Sequence, residues 1–540
     1  MKGMKADKII VGNAIFTGLN EKPFSGFIAI KDSKIFNVGE HATTYSKWVD
    51  KHTEIIHAHD SLVLPGFHDF HLHLWLGAMF ETFCNLTFCS TEEEAAKAVY
   101  EYSQLHPQDE WIIGFGWHHV RWPNQELPTR HSLDAVLPDR PVVLLNEEAH
   151  SAWLNSAALQ KLGIHENTEE PPFGEIVKDE NGQPTGFLYE TAVKLATSAF
   201  SFTEEEHKQL FETFLHKAAR LGVTSVGDML PLPGYTLGDP NFYQSYDEQE
   251  GLTVRIHFQS PLNGELEEAK RLRKDFHSEK IQFGGLKQFL DGVPLTYTGY
   301  LLEPYSDRPQ LTGGTIYDFE TYQKWIDEAD KEEFRIRLHA CGDAAVRMGL
   351  DLFEHAQSVN GVRDSRHTIE HIEVISPDDI PRFQQLGVIA SIQPDHLTSS
   401  SMDTHAYIER LGAERCRYTW PIGSLMESGA TVAFGTDFPI VELNPMVGLY
   451  RAVTRRHEDG TPENGWNPKE RISLCDAIKQ YTIAPAFGQF REDELGTLEA
   501  GKFADIIILD RNIFERDVEE ILETKVTMTI MNGDVVYKSE

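Results

Sequence analysis

The sequence predicts an α/β protein built on a parallel barrel, with a small sheet contributed by both chain ends. Three observations lead there. Apolar strand-like runs (LGVTSVGDM, GGLKQFLDG, FRIRLHACGD, RHTIEHIEV, GVIASIQPD and ATVAFGTDFP) alternate with helix-length amphipathic segments, which is the pattern of a parallel α/β domain. Several of these runs end in a polar residue, as strands do at the active face of a barrel. No Gly-x-Gly-x-x-Gly or Walker loop favours the open, nucleotide-binding alternative.

The chain opens with KIIVGNAIFTG and FSGFIAIKDSKIFNVGE, short alternating runs separated by Gly, Pro and Asn that read as antiparallel strands. FADIIILD and KVTMTIMNGDVVYKS close it with the same texture, and Asn532-Gly533 marks a hairpin. One sheet assembled from both termini is the reading taken; two unrelated caps are the competing one.

At 540 residues the chain exceeds one ordinary core, and 41% hydrophobic residues suffice to bury several units or one large barrel. Its 49 basic and 84 acidic side chains give a net charge of −35, which excludes a general nucleic-acid binder, since phosphate contacts need a basic surface. Neither a signal-peptide pattern nor a run of 18 apolar residues is found, so the expectation is no membrane span and no secretion. Five irregularly spaced cysteines (Cys84, Cys89, Cys341, Cys416 and Cys475) suit neither a disulfide framework nor a C-x-x-C zinc site, and a reducing cytoplasm is expected.

Chemistry concentrates in LVLPGFHDFHLHL. His71 and His73 lie two apart on a strand-like run, so both imidazoles face one side and can reach one metal. His339 closes FRIRLH, His371 sits in RHTIEH and Asp437 closes TVAFGTD, each where a barrel strand should finish. His339 and His371 are separated by one strand-helix unit of about 30 residues, and His371 and Asp437 by two. Each residue alone reads equally well as a hydrogen-bonded core histidine or a capping aspartate; together they converge. Lys287, in GGLKQFLDG, is either paired with nearby Asp291 or a lysine of lowered pKa able to form a carbamate with carbon dioxide.

This constellation resembles the amidohydrolase superfamily. LPGFHDFHLHL, GGLKQFLDG, LHACGDAA, RHTIEH and FGTDFP look like its first-, fourth-, fifth-, sixth- and eighth-strand motifs. GFGWHHVRWPNQELPTRHSLDAVLPDRPVVLL, HSAWLNSAAL, GFLYE and LGTLEAGKFADIIILD resemble the YtcJ-like branch related to N-substituted formamide deformylase. The resemblance implies a distorted TIM (β/α)8 barrel at 65–484, a small β-sandwich from 1–64 and 485–540, and a large insertion after the first barrel strand, at about 75–215.

It also implies two divalent metal ions, with Zn²⁺ suiting the donors: His71, His73 and Asp437 at one, His339 and His371 at the other, and carboxylated Lys287 between them. The implied reaction is hydrolysis of a non-peptide C–N bond in a small amide (formamide, N-acyl amine or cyclic amide), with metal-activated hydroxide and Asp437 as general base and then acid. His150, Glu190, His396 and Trp117 are weaker substrate-contact candidates, and Trp75, Trp122, Trp153, Tyr297 and Trp420 add rings that line a pocket or merely pack the insertion. A mononuclear deaminase or D-aminoacylase-like hydrolase is the alternative, and a non-catalytic barrel a weaker one. The expected partner is a small-molecule amide, with no nucleic acid and no membrane, and a homodimer is the base-rate expectation.

Two features depart from pattern. His118 or His119, after Gly-Trp, stands where the branch pattern commonly has a carboxylate or small residue. Strict alternation puts Arg335 and Arg337 on the face of His339, inside the barrel, which requires a bulge or internal acids.

Overall fold

The computed structural model describes residues 5–41, 43–147, 150–172, 174–229, 239–397 and 401–539. The chain divides into two compact units, Met1–Leu72 with Leu215–Leu230 and Pro240–Glu540, and His73–Phe214 with Pro231–Asp239.

The first unit carries the barrel. Its eight parallel strands, neighbours in chain order, are Phe67–Leu72, Val223–Asp228, Arg255–Pro261, Ile281–Phe289, Ile336–Ala340, Thr368–His371, Ile389–Ile392 and Val432–Phe434. Runs such as IASI and VAF are buried throughout, as strands covered on both faces must be. Helices such as Phe319–Lys331 return the chain. Asp318 caps that helix by accepting from Thr321 N–H, and Tyr322, Ile326 and Ala329 are its buried stripe.

First and eighth strands are joined where the site lies. Asp437 N–H donates to His71 C=O at 2.7 Å, and the Thr436 N–H and hydroxyl donate to the Asp69 carboxylate at 3.0 and 2.6 Å. Gly435 permits this approach, because a Cβ there would lie 2.5 Å from His71 N. Two strands break the simple alternation. Residues 69–72 oppose 226–228 with one extra residue on the first strand, and the fourth strand bulges at Gly285, where φ is +128°.

The two internal arginines resolve differently. Arg337 pairs with an acid inside the barrel, its Nε 2.5 Å from Glu370 Oε1. Arg335 donates to the Gly488 carbonyl and, at 2.9 Å, to Gln489 Oε1.

Both chain ends build one seven-stranded sheet in the order Asp534–Lys538, Val526–Met531, Ile506–Leu509, Glu54–Pro65, Lys8–Ile15, Phe24–Lys31 and Lys34–Gly39. Strands as far apart in it as the second and sixth share one core, with Ile28 and Ile30 beside Met528 and Ile530, so the sheet folds over itself. Asn532 and Gly533 take φ of +55° and +84° in the last hairpin, as the dipeptide predicts. The sheet's C-terminal part starts at Ile506, not 485; helix Ile483–Gly488 packs with Phe70 under the barrel.

The second unit is a six-stranded sheet ordered Gly174–Lys178, Pro184–Glu190, Ser151–Leu154, Val142–Asn146, Ile112–Trp117 and Cys84–Asn85. Helix Glu92–Leu105, capped by Thr91, buries Ala95, Ala96 and Val99. Trp117, Trp122, Trp153 and Phe187 belong to its core. No helix among the described residues is long and apolar enough to cross a membrane.

Candidate active site

The C-terminal ends of barrel strands one, four, five, six and eight carry His71, Lys287, His339, His371 and Asp437, all buried. His71 Nδ1–H donates to Glu370 Oε2 at 2.7 Å, which fixes the tautomer and leaves Nε2 toward Asp437 Oδ1 at 3.2 Å. His371 is held alike, its Nδ1–H donating to Gln393 Oε1 at 2.9 Å. Its ring centroid lies 4.9 Å from that of His71 and 4.3 Å from that of His339. Asp437 and His371 both adopt positive φ, +62° and +75°, and these turns bring the two side chains in where the strands stop.

Lys287 points into the same space. Its Nζ sits 4.7 Å from the Phe289 ring centroid, and Phe289 stacks on His339 at 4.6 Å. Among the described residues Nζ has no hydrogen-bond partner, and burial lowers the ammonium to about 8. The competing pairing with Asp291 is overturned: that carboxylate accepts instead from the backbone N–H groups of Tyr300, Cys341 and Gly342, at 2.8, 3.0 and 2.9 Å. His73 lies past the end of the strand. It is buried, heads helix Leu74–Thr82 and is the first residue of the second unit, tied through Leu72 to the strand of His71.

The weaker candidates separate. His396 is drawn to the centre, its Nε2 3.8 Å from Asp437 Oδ2, and the ligand atoms of His371, His396 and Asp437 lie within 4.8 Å of one another. His150 and Glu190, in the second unit, hydrogen-bond at 2.8 Å; burial opposes the Glu190 charge, but His150 holds its carboxyl below the usual range. Trp117 is corrected from substrate contact to core: it is fully buried against Trp122 and Trp153 and donates to the Leu144 carbonyl at 3.1 Å. Trp420 is likewise buried, edge-on to Tyr407, whereas Tyr297 bonds Asp307 at the surface. His118 is pushed down to about 4 by burial and by Arg121.

Sequence reasoning missed Glu370. Burial works against its charge, yet Arg337 and His71 hold the carboxyl well below the usual range. With its neighbour His371 facing inward, alternation turns Glu370 outward; the positive φ of His371 lets both face in. Asp69, pushed up to about 7 by burial, and Gln393 were also missed. Cys341 was counted only as a cysteine; its Sγ is 3.4 Å from His339 Nε2.

Imidazole nitrogens, a carboxylate and a buried amine converging on one polar space form a donor set that fits a divalent ion of the zinc type. The Amidohydrolase family profile matches residues 54–537. Protein LONG AFTER FAR-RED 3 of Arabidopsis thaliana is 32% identical, covering 99% of this chain and 92% of its own. Putative amidohydrolase YtcJ of Bacillus subtilis is 29% identical over 98% of each chain, and N-substituted formamide deformylase of Arthrobacter pascens 26% over 90% of each. Among solved structures, an uncharacterized metal-dependent hydrolase from Pyrococcus horikoshii superposes with a TM-score of 0.77 at 25% identity, covering 95% of this chain and 99% of that one.

Proposed function

The chain belongs to the amidohydrolase family, and on that premise we propose that it hydrolyses a non-peptide C–N bond of a small amide with the aid of two divalent metal ions. The observation that carries this reading is the buried Lys287 Nζ, without a hydrogen-bond partner among the described residues, beside three histidines and Asp437. Its lowered pKa supplies free amine, whose lone pair bonds the carbon of carbon dioxide as one proton leaves to solvent. The product is an anionic carbamate, which suits a bridging ligand. His71, His73 and Asp437 would hold one ion, His339 and His371 the other.

Ions there supply a water of lowered pKa, about 7 rather than 15.7, and polarise the scissile carbonyl. The chain's own residues do the rest. Glu370 and Gln393 keep the protons of His71 and His371 on Nδ1, so both present Nε2. Asp437 takes the water's proton and delivers it to the leaving nitrogen, with His396 Nε2 standing 3.8 Å from its Oδ2. A formamide is the first substrate to try, because one relative is named as a formamide deformylase.

Elemental analysis of protein purified without added metal, beside native mass spectrometry, tests this reading. Two ions per chain and one added carbon dioxide are expected. One ion without the adduct moves the assignment to a mononuclear deaminase or D-aminoacylase-like hydrolase, and none after reconstitution ends the catalytic reading. Lys287→Ala should lose activity and regain part of it with added short carboxylates; full unaided activity would exclude the carbamate.

A further inference from the structure

Below the catalytic end, the barrel carries a second polar layer that hydrolysis does not use. His68 on the first strand, Gln259 on the third, Arg335 and Arg337 on or beside the fifth and Gln489 from beneath are each at most 6% exposed. His68 stacks on His257 with centroids 5.3 Å apart, and the Arg335 and Arg337 guanidiniums lie 5.5 and 4.1 Å from the Phe70 centroid. Burial, then Arg491, Arg337 and Arg335, hold His68 well below its ordinary pKa, so its ring is neutral.

The charges of this layer do not balance. Arg337 has Glu370, while around it Arg491 has Glu494, Arg255 has Asp505, and Arg366 has Glu492 and Asp364. Arg335 has only the Gly488 carbonyl and the Gln489 amide oxygen, and no carboxylate within ion-pair distance among the described residues. Seven atoms here have no hydrogen-bond partner among the described residues: Arg335 Nε and Nη2, Arg337 Nη1, Gln489 Nε2, Gln259 Oε1 and both His68 nitrogens. Buried polar atoms are rarely left so, and each is costly.

We propose that this layer binds one monovalent anion of the halide class, held by Arg335 with Arg337 and His68. Charge decides between anion and water. Counting one N–H on His68, five of the seven atoms donate and two accept. A water could use both acceptors but would leave Arg335 uncompensated, whereas an anion takes the donors in excess and supplies the charge that Arg335 lacks. The same balance sets the class. Where every side chain is at most 6% exposed, the cost of stripping water from an ion rises with the square of its charge, so a singly charged monatomic anion is favoured over sulfate.

Crystals of the full chain purified in bromide, measured at the bromine edge, should show an anomalous peak in contact with the Arg335 and Arg337 guanidiniums. For an ion that exchanges slowly, long-wavelength data from chloride-purified protein should show chlorine there. In solution, Tm should rise with the logarithm of bromide concentration relative to sodium gluconate at equal ionic strength, and Arg335→Gln should abolish the rise. If Arg335→Gln does not fold, the wild-type anomalous map decides alone. Water-height density without anomalous signal in both crystals, or an equal Tm rise with sulfate, would overturn the proposal.

Discussion

Asp437→Asn lowers kcat/KM toward a formamide or N-acyl amine by about 10²- to 10⁴-fold, the range a positioned proton carrier supplies. The loss falls in kcat and is accompanied by weaker metal retention, because Asn keeps the side-chain volume but can neither take and return a proton nor offer an ion a carboxylate. The fold should survive. What joins the eighth strand to the first here is the Asp437 backbone N–H donating to His71 C=O and Thr436 donating to Asp69, and Asn leaves both intact. Steady-state kinetics beside a melting curve check this. Activity within tenfold of the parent would remove Asp437 from the proton path. Trp117→Phe is the control: it lies in the core of the second unit, so kcat should stay close to the parent value while Tm falls.

The barrel and its strand ends were legible because they depend on periodicity. Each ligand candidate closes an apolar run, and strand ends are where the chain must emerge into the mouth. Asn532-Gly533 was legible for a local reason, since only a few residue pairs tolerate two successive positive φ angles. What strict alternation could not give were the places where alternation stops. His73 was read as sharing a strand face with His71, but the strand ends at Leu72 and His73 heads a helix. Glu370 was hidden by His371, whose φ of +75° no residue type announces. Trp117 failed as a substrate contact because aromatic composition alone does not distinguish a pocket wall from a core.

Glu370→Gln destabilises the folded chain by about 3–5 kcal/mol, because removing one partner of a buried ion pair leaves the other charge uncompensated. The partner is Arg337, fully buried on the fifth strand, whose other side-chain hydrogen bond among the described residues runs from Nη2 to the Phe70 carbonyl at 3.0 Å. The same change weakens the hold on His71 Nδ1–H, and loss of such a carboxylate behind a ligating histidine lowers metal affinity by about 10- to 100-fold. Both effects are measurable without substrate, by denaturant melts and by metal retention against a chelator. A double variant separates them. Glu370→Gln with Arg337→Met removes both charges, so stability should recover toward the parent while metal retention stays low. If stability and retention instead recover together, Glu370 acts on His71 only through the packing of the layer beneath it; if Glu370→Gln alone matches the parent in both measurements, the pair does not carry the site.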